Sequence, residues 1–141
     1  MLKLLVTSVC CFLLFVFGSA QQPTKAVVHK VQSLPAKMFL TMRDSTTSMD
    51  VVMMQGKGGS LSLDGRNVKL FNAFFESKAA PKTSAPMGGN IMWLINGREF
   101  ISGSYYLGDS TGYVVFNKDG SEYVNLLNKQ GNSFFKSQVK Q

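Results

Sequence analysis

Asn90 to Asn117 reads NIMWLINGREFISGSYYLGDSTGYVVFN and holds one tryptophan, three tyrosines and two phenylalanines between glycine-marked breaks. Asn96-Gly97 supplies the positive backbone dihedrals of a two-residue hairpin turn, so Asn90 to Ile95 and Arg98 to Leu107 read as paired strands. Gly108-Asp109-Ser110-Thr111-Gly112 makes a second turn, and Tyr113 to Asn117 follows as a strand. Alternation then sorts the faces. Phe100, Ser102, Ser104 and Tyr106 fall on one side, with Ile101, Gly103, Tyr105 and Leu107 on the other. Val114 and Phe116 oppose Tyr113 and Val115. Gly103 marks a bulge or a place where another backbone or a ligand comes close.

The same punctuation extends both ways. Downstream, Lys118-Asp119-Gly120 turns into a strand at Glu122 to Leu127, and Gln130-Gly131-Asn132 into a last strand at Ser133 to Val139. Upstream, Ala26 to Val31, Lys37 to Met42 and Met49 to Gln55 read as strands. Ser60 to Leu63 and Asn67 to Ser77 form a hairpin about Asp64-Gly65, although a short helix competes over Val68 to Phe75. Lys78 to Asn90, with Pro81, Pro86, Gly88 and Gly89, reads as a mobile loop. These roughly nine or ten strands predict an all-β domain, a small antiparallel β-sandwich or a closed β-barrel. A β-trefoil is the alternative, on the loose likeness of Phe71-Asn72 and Phe116-Asn117.

The first twenty residues, MLKLLVTSVCCFLLFVFGSA, set Lys3 before an apolar run and a small-residue exit, the layout of a secretory signal peptide cut after Ala20. The expected organisation is a signal-peptide helix over residues 1–20 and one domain over 21–141, secreted, or periplasmic in a bacterium. The run is shorter than the roughly 20 apolar residues of a spanning helix. Cleavage would remove Cys10 and Cys11, which excludes disulfides and thiolate metal sites from the mature chain. The formal charge of +7, or +6 without Lys3, comes from bases that never form a run of three, a pattern typical of a solvated surface. Export argues against nucleic acid as a partner.

No catalytic constellation is legible. His29 is the single histidine and sits among valines. Asp64, Asp109 and Asp119 are explained by turns. A Glu99–Glu122 pair would need the two on adjacent strands. Gly56-Lys57-Gly58-Gly59-Ser60 lacks the spacing and the following helix of a phosphate loop. Neither a cofactor nor a metal is expected. Phe39, Phe71, Phe100 and Phe116, helped by Ile95, Ile101, Val115 and Leu126, are the expected core, with the methionines as filler.

Trp93 and the tyrosines carry polar atoms that favour the edge of a core or a surface. If Tyr105, Tyr113 and Tyr123 share a face, they make a cross-strand row that can stack on sugars or dock protein. The sequence therefore predicts a non-catalytic module that recognises an extracellular protein or glycan, acidic ones included, through Trp93, Tyr105, Tyr113 and Tyr123, with the Lys78 to Asn90 loop as a secondary contact. Alternatives are a carrier holding a lipid or other hydrophobe in a Met- and Phe-lined barrel, and a structural or self-assembling protein.

Overall fold

A computed structural model describes residues 30–139. The expected signal peptide and His29 lie outside the described residues, as does the expected strand Ala26 to Val31 except for Lys30 and Val31, which are not in a strand. Ten elements follow in chain order: helix α1 (Ala36–Ser45), strands β1 (Ser48–Met53) and β2 (Gly59–Asp64), helix α2 (Gly65–Asn72), strands β3 (Phe75–Ala79), β4 (Met87–Ile95), β5 (Arg98–Tyr106), β6 (Gly112–Lys118) and β7 (Ser121–Leu127), and helix α3 (Lys129–Val139). The strands make one open sheet in the order β2-β1-β4-β5-β6-β7-β3, with every neighbour antiparallel.

The β-dominated class agrees with the sequence, but the architecture does not. The sheet neither closes into a barrel nor faces a second sheet. Its partner layer is made of helices, and three expected strands are helical. Lys37 to Met42 lies in α1, where Phe39 and Met42, three apart, turn inward. Asn67 to Asn72 lies in α2, entered directly from β2 through Gly65 at φ 49° rather than through a hairpin turn. Ser133 to Val139 lies in α3, which buries Gly131, Asn132 and Phe135. Each of these helices is only 8 to 11 residues long and buries two or three residues, too few for a 3.6-residue stripe to stand apart from strand alternation.

Phe39 and Met42 of α1, Val68 of α2 and Phe135 of α3 join one buried cluster with Met49, Val51, Ile91, Trp93, Ile101, Tyr105, Val114 and Phe116. The three helices therefore cover the same face of the sheet. Of the expected core, Phe39, Phe116, Ile101 and Val115 are buried, while Phe71 and Phe100 pack against it half-covered. Both two-residue turns are as expected: Asn96-Gly97 and Asp119-Gly120 all have positive φ between 50° and 75°.

The connection from β3 at one edge of the sheet to β4 beside β1 crosses the face opposite the helices. Ala80 and Ala85 from this connection pack with Tyr113, Val115 and Val124 in a second, smaller core. Residues 30–34 are tied to β7. There the Val124 amide donates to the Gln32 carbonyl, and the wholly buried Asn125 side chain accepts from the Leu34 amide and donates to the Glu76 carbonyl.

Candidate functional site

The four aromatic residues expected to form a contact surface are separated by the register of the strands. Tyr105 pairs with Val114, and Tyr113 with Tyr106, so Tyr105 points to the helices and Tyr113 away from them. Tyr123 lies opposite Phe116 on the helix side. The cross-strand tyrosine row does not form, because Tyr113 is one residue out of phase with the other two.

Trp93 is fully buried. Its ring meets Phe75 edge-on at 5.2 Å and Phe116 at 5.4 Å, and its indole N–H donates to Asn72 Oδ1 at 2.9 Å. The polar atom that suggested a surface position is satisfied inside. Tyr105, likewise at 0 % exposure, stacks on Phe135 of α3 at 4.6 Å. Gly88 and Gly89, which read as loop residues, belong to β4 and make room for it: a Cβ at Gly88 would run into the Tyr105 ring. Gly103 marks the close approach expected of it, since a Cβ there would lie 3.0 Å from the Phe116 ring and 2.9 Å from the Val115 carbonyl oxygen.

The Tyr105 hydroxyl is buried and has no hydrogen-bond partner among the described residues. Burial pushes its pKa from the usual 10 up to about 12. Because the folded value lies above that of the unfolded chain, the stability held by the neutral hydroxyl is fully present below pH 10 and is lost as pH rises through about 12. Replacement by Phe removes an unsatisfied polar atom and keeps the stack. Tyr105→Phe is expected to raise unfolding free energy by about 1 kcal/mol at neutral pH and to flatten its decline in that alkaline window, as read by urea melts.

Tyr106 and Tyr113 stack nearly parallel, 4.7 Å apart, on the face away from the helices. The Tyr113 hydroxyl donates to the Thr83 carbonyl at 2.7 Å, and the Leu107 amide donates to the Pro86 carbonyl. The stretch expected to be a mobile loop is thus shorter, residues 80–86, and tied down at both ends. Tyr113 pins this connection. Tyr113→Phe should cost about 1 kcal/mol and speed proteolytic cleavage after Lys82 several-fold, measured by trypsin time courses.

What remains open is the β1, β4 and β5 part of the face opposite the helices. Asn90, Met92, Ser102, Ser104, Val115 and Asn117 line a shallow dent of about 310 Å³ there. The Ser104 hydroxyl donates to Asn90 Oδ1 at 2.9 Å. Val52 and Met54 stand beside it at 46 % and 60 % exposure, with the Met54 sulfur 3.7 Å from Asn90 Nδ2. The dent is uncharged; Asp50, near its rim, accepts from the Ser62 hydroxyl at 2.6 Å. Sequence reading weighed the aromatics and missed this surface. Its only signal was that Ser102, Ser104 and Asn90 alternate with buried residues, an ordinary feature of a solvated strand face.

The carboxylates stay apart. Glu99 on β5 and Glu122 on β7 are separated by β6, and Glu122 pairs with Lys82 at 2.6 Å. Gly56 to Ser60 connects β1 to β2 and runs into a strand. Among the described residues, no group of three or more His, Cys, Asp or Glu could hold a metal ion, and no helix is long and apolar enough to cross a membrane. No protein-family model, curated protein or solved structure matches the chain.

Proposed function

We propose that the chain is an exported, non-catalytic binding module, and that it recognises an extracellular protein through the open face of β1, β4 and β5. The observation carrying this reading is the covering of the sheet: helices seal one side, residues 80–86 cover the β6–β7 part of the other, and the remainder is left with exposed apolar residues beside uncharged hydrogen-bonding groups. A small apolar centre ringed by Ser and Asn is the composition of a modest protein-contact patch. A glycan is the weaker alternative, because Trp93 and Tyr105 are interior and the Tyr106 and Tyr113 rings occupy each other, leaving little for sugar stacking. The carrier reading loses its support with the barrel, since an open sheet encloses no ligand.

The test is a pair of variants, Ser102→Arg and Val52→Arg, both at exposed positions that leave the core untouched. Each places a bulky charge on the patch and should abolish capture of extracellular partners by the immobilised protein, with the circular dichroism spectrum unchanged. Retention of every protein contact by both variants would defeat the proposal. Selective loss of glycan-array signals would move it to the glycan reading.

A further inference from the structure

The bases that look scattered in the sequence are gathered by the fold. Helices α1, α2 and α3 carry Lys37, Arg43, Arg66, Lys69, Lys129 and Lys136 against a single acid, Asp44. Asp44 is taken up by its neighbour Arg43, at 2.6 Å. The rest of the described residues holds six bases against seven acids. Net charge is therefore +5 on the helical layer and −1 everywhere else, so the whole positive excess of residues 30–139 sits on one side of the molecule.

That side also exposes the wrong residues for a purely solvated surface. Leu40 is 46 % and Leu70 61 % exposed. Helical spacing sets each among bases: Leu40 lies three residues from both Lys37 and Arg43, and Leu70 four from Arg66 and next to Lys69. The two helices meet, since Arg43 and Asp44 of α1 line one dent with Lys69 of α2. Bases at the level of lipid headgroups with leucines between them are how a folded domain lies on an anionic bilayer. The bases gain from the negative surface potential, and the leucines leave water at the acyl boundary. A sulfated glycan or a nucleic acid would use the charge but has no use for the leucines.

We propose that the α1–α2 surface docks reversibly on anionic lipid membranes, with Leu40 and Leu70 entering the interface and Lys37, Arg66 and Lys69 as the principal headgroup contacts. This surface is opposite the β1, β4 and β5 face proposed for protein recognition, so the two proposals stand or fall separately.

The apolar N-terminal run could tether the full chain to a vesicle by itself, so the readout must report from the helices. In a full-length chain with Cys10→Ala and Cys11→Ala, a nitrobenzoxadiazole fluorophore is attached at Leu70→Cys, or at Val52→Cys on the opposite face. With phosphatidylcholine–phosphatidylserine vesicles, the probe at 70 should shift to the blue and brighten while the probe at 52 stays as in water. Pure phosphatidylcholine should leave both unchanged. Arg66→Gln with Lys69→Gln should lower the vesicle affinity read at position 70 roughly 25-fold, taking about 5-fold for each base. Leu40→Ser should lower it about 10-fold. Lys78→Gln with Lys118→Gln removes the same charge from elsewhere and should leave it unchanged. A probe at 70 that remains aqueous, shifts equally without phosphatidylserine, or is matched by the probe at 52 overturns the proposal. So does equal weakening by the Lys78 and Lys118 pair, or tight heparin binding that Leu40→Ser leaves intact in the absence of any shift at 70.

Discussion

Asn72→Ala is expected to destabilise the fold by about 4 kcal/mol, although it deletes only a small polar side chain from the end of an eight-residue helix. Asn72 is 1 % exposed and joins three elements. Its amide nitrogen donates to the Arg43 carbonyl at 3.1 Å and the Met42 carbonyl at 3.4 Å, two of the last carbonyls of α1, which have no partner within the helix. Its oxygen accepts the Trp93 indole N–H. Alanine would strand that indole donor in the main core, leave the Arg43 carbonyl without its bond, and open a void beside the largest core side chain. The Met42 carbonyl keeps the Thr46 hydroxyl as a donor, which limits the loss at that atom.

Trp93 is the single tryptophan, so its fluorescence reports both the unfolding midpoint and the loss of the indole hydrogen bond. Asn72→Asp supplies a second, signed test. The carboxylate still accepts from the indole but cannot donate to the α1 carbonyls, and burial beside them raises its pKa. Stability of that variant should be best below pH about 4 and fall as pH rises towards neutrality, whereas the parent shows no such slope. A small loss in both variants would mean that Trp93 is held by packing alone.

The same residue shows what was legible in the sequence and why the rest was not. Hairpins β4–β5 and β6–β7 could be read because a turn that demands positive φ forces Asn-Gly or Asp-Gly onto the chain, and because strands of seven to nine residues alternate long enough to show their period. The face assignment of Val114 and Phe116 against Tyr113 and Val115 follows from the same alternation. Register between strands is a different quantity. It depends on how many residues each turn consumes, and one residue of phase is enough to put Tyr113 on the opposite face from Tyr105. The helical layer was lost for another reason. α1, α2 and α3 each bury only two or three residues, so none presents a long stripe. The N–H of Trp93 needs a partner, which in the sequence favours the edge of a core or a surface. That partner is the buried Asn72 of α2, in a segment whose sequence fits a strand with a short helix competing. Asn72 and Asn125, each set among apolar neighbours in FNAFF and VNLL, were the available sign that polar groups are satisfied inside this core.

The second large effect is expected at Gly89. An alanine there should cost roughly 3 kcal/mol or more, a large share of the roughly 5–15 kcal/mol by which an ordinary domain is stable. The added Cβ would collide with the Val52 carbonyl of β1 and lie 3.0 Å from Cε1 of the Tyr105 ring. Neither neighbour can give way cheaply. The carbonyl is backbone, in the stretch where Val52 and Met53 pair with Asn90 and Gly89, and Tyr105 is locked against Phe135. β4 is the sole link between β1 and the rest of the sheet, and β2 hangs on β1 alone. Relieving the collision by opening the ladder would therefore loosen both strands and expose Met49 and Val51, each now buried. Gly120 is the matched control. It also has positive φ, at 75°, but no atom lies within 4 Å of its Cβ position. Gly120→Ala should cost only about 1 kcal/mol, the strain of a left-handed turn position. Urea melts of the two variants separate the explanations. A large loss at 89 with a small one at 120 identifies the close β1–β4 approach as the cause, whereas equal losses would assign both to backbone dihedral strain and leave the glycine pair under Tyr105 with no special role in the sheet.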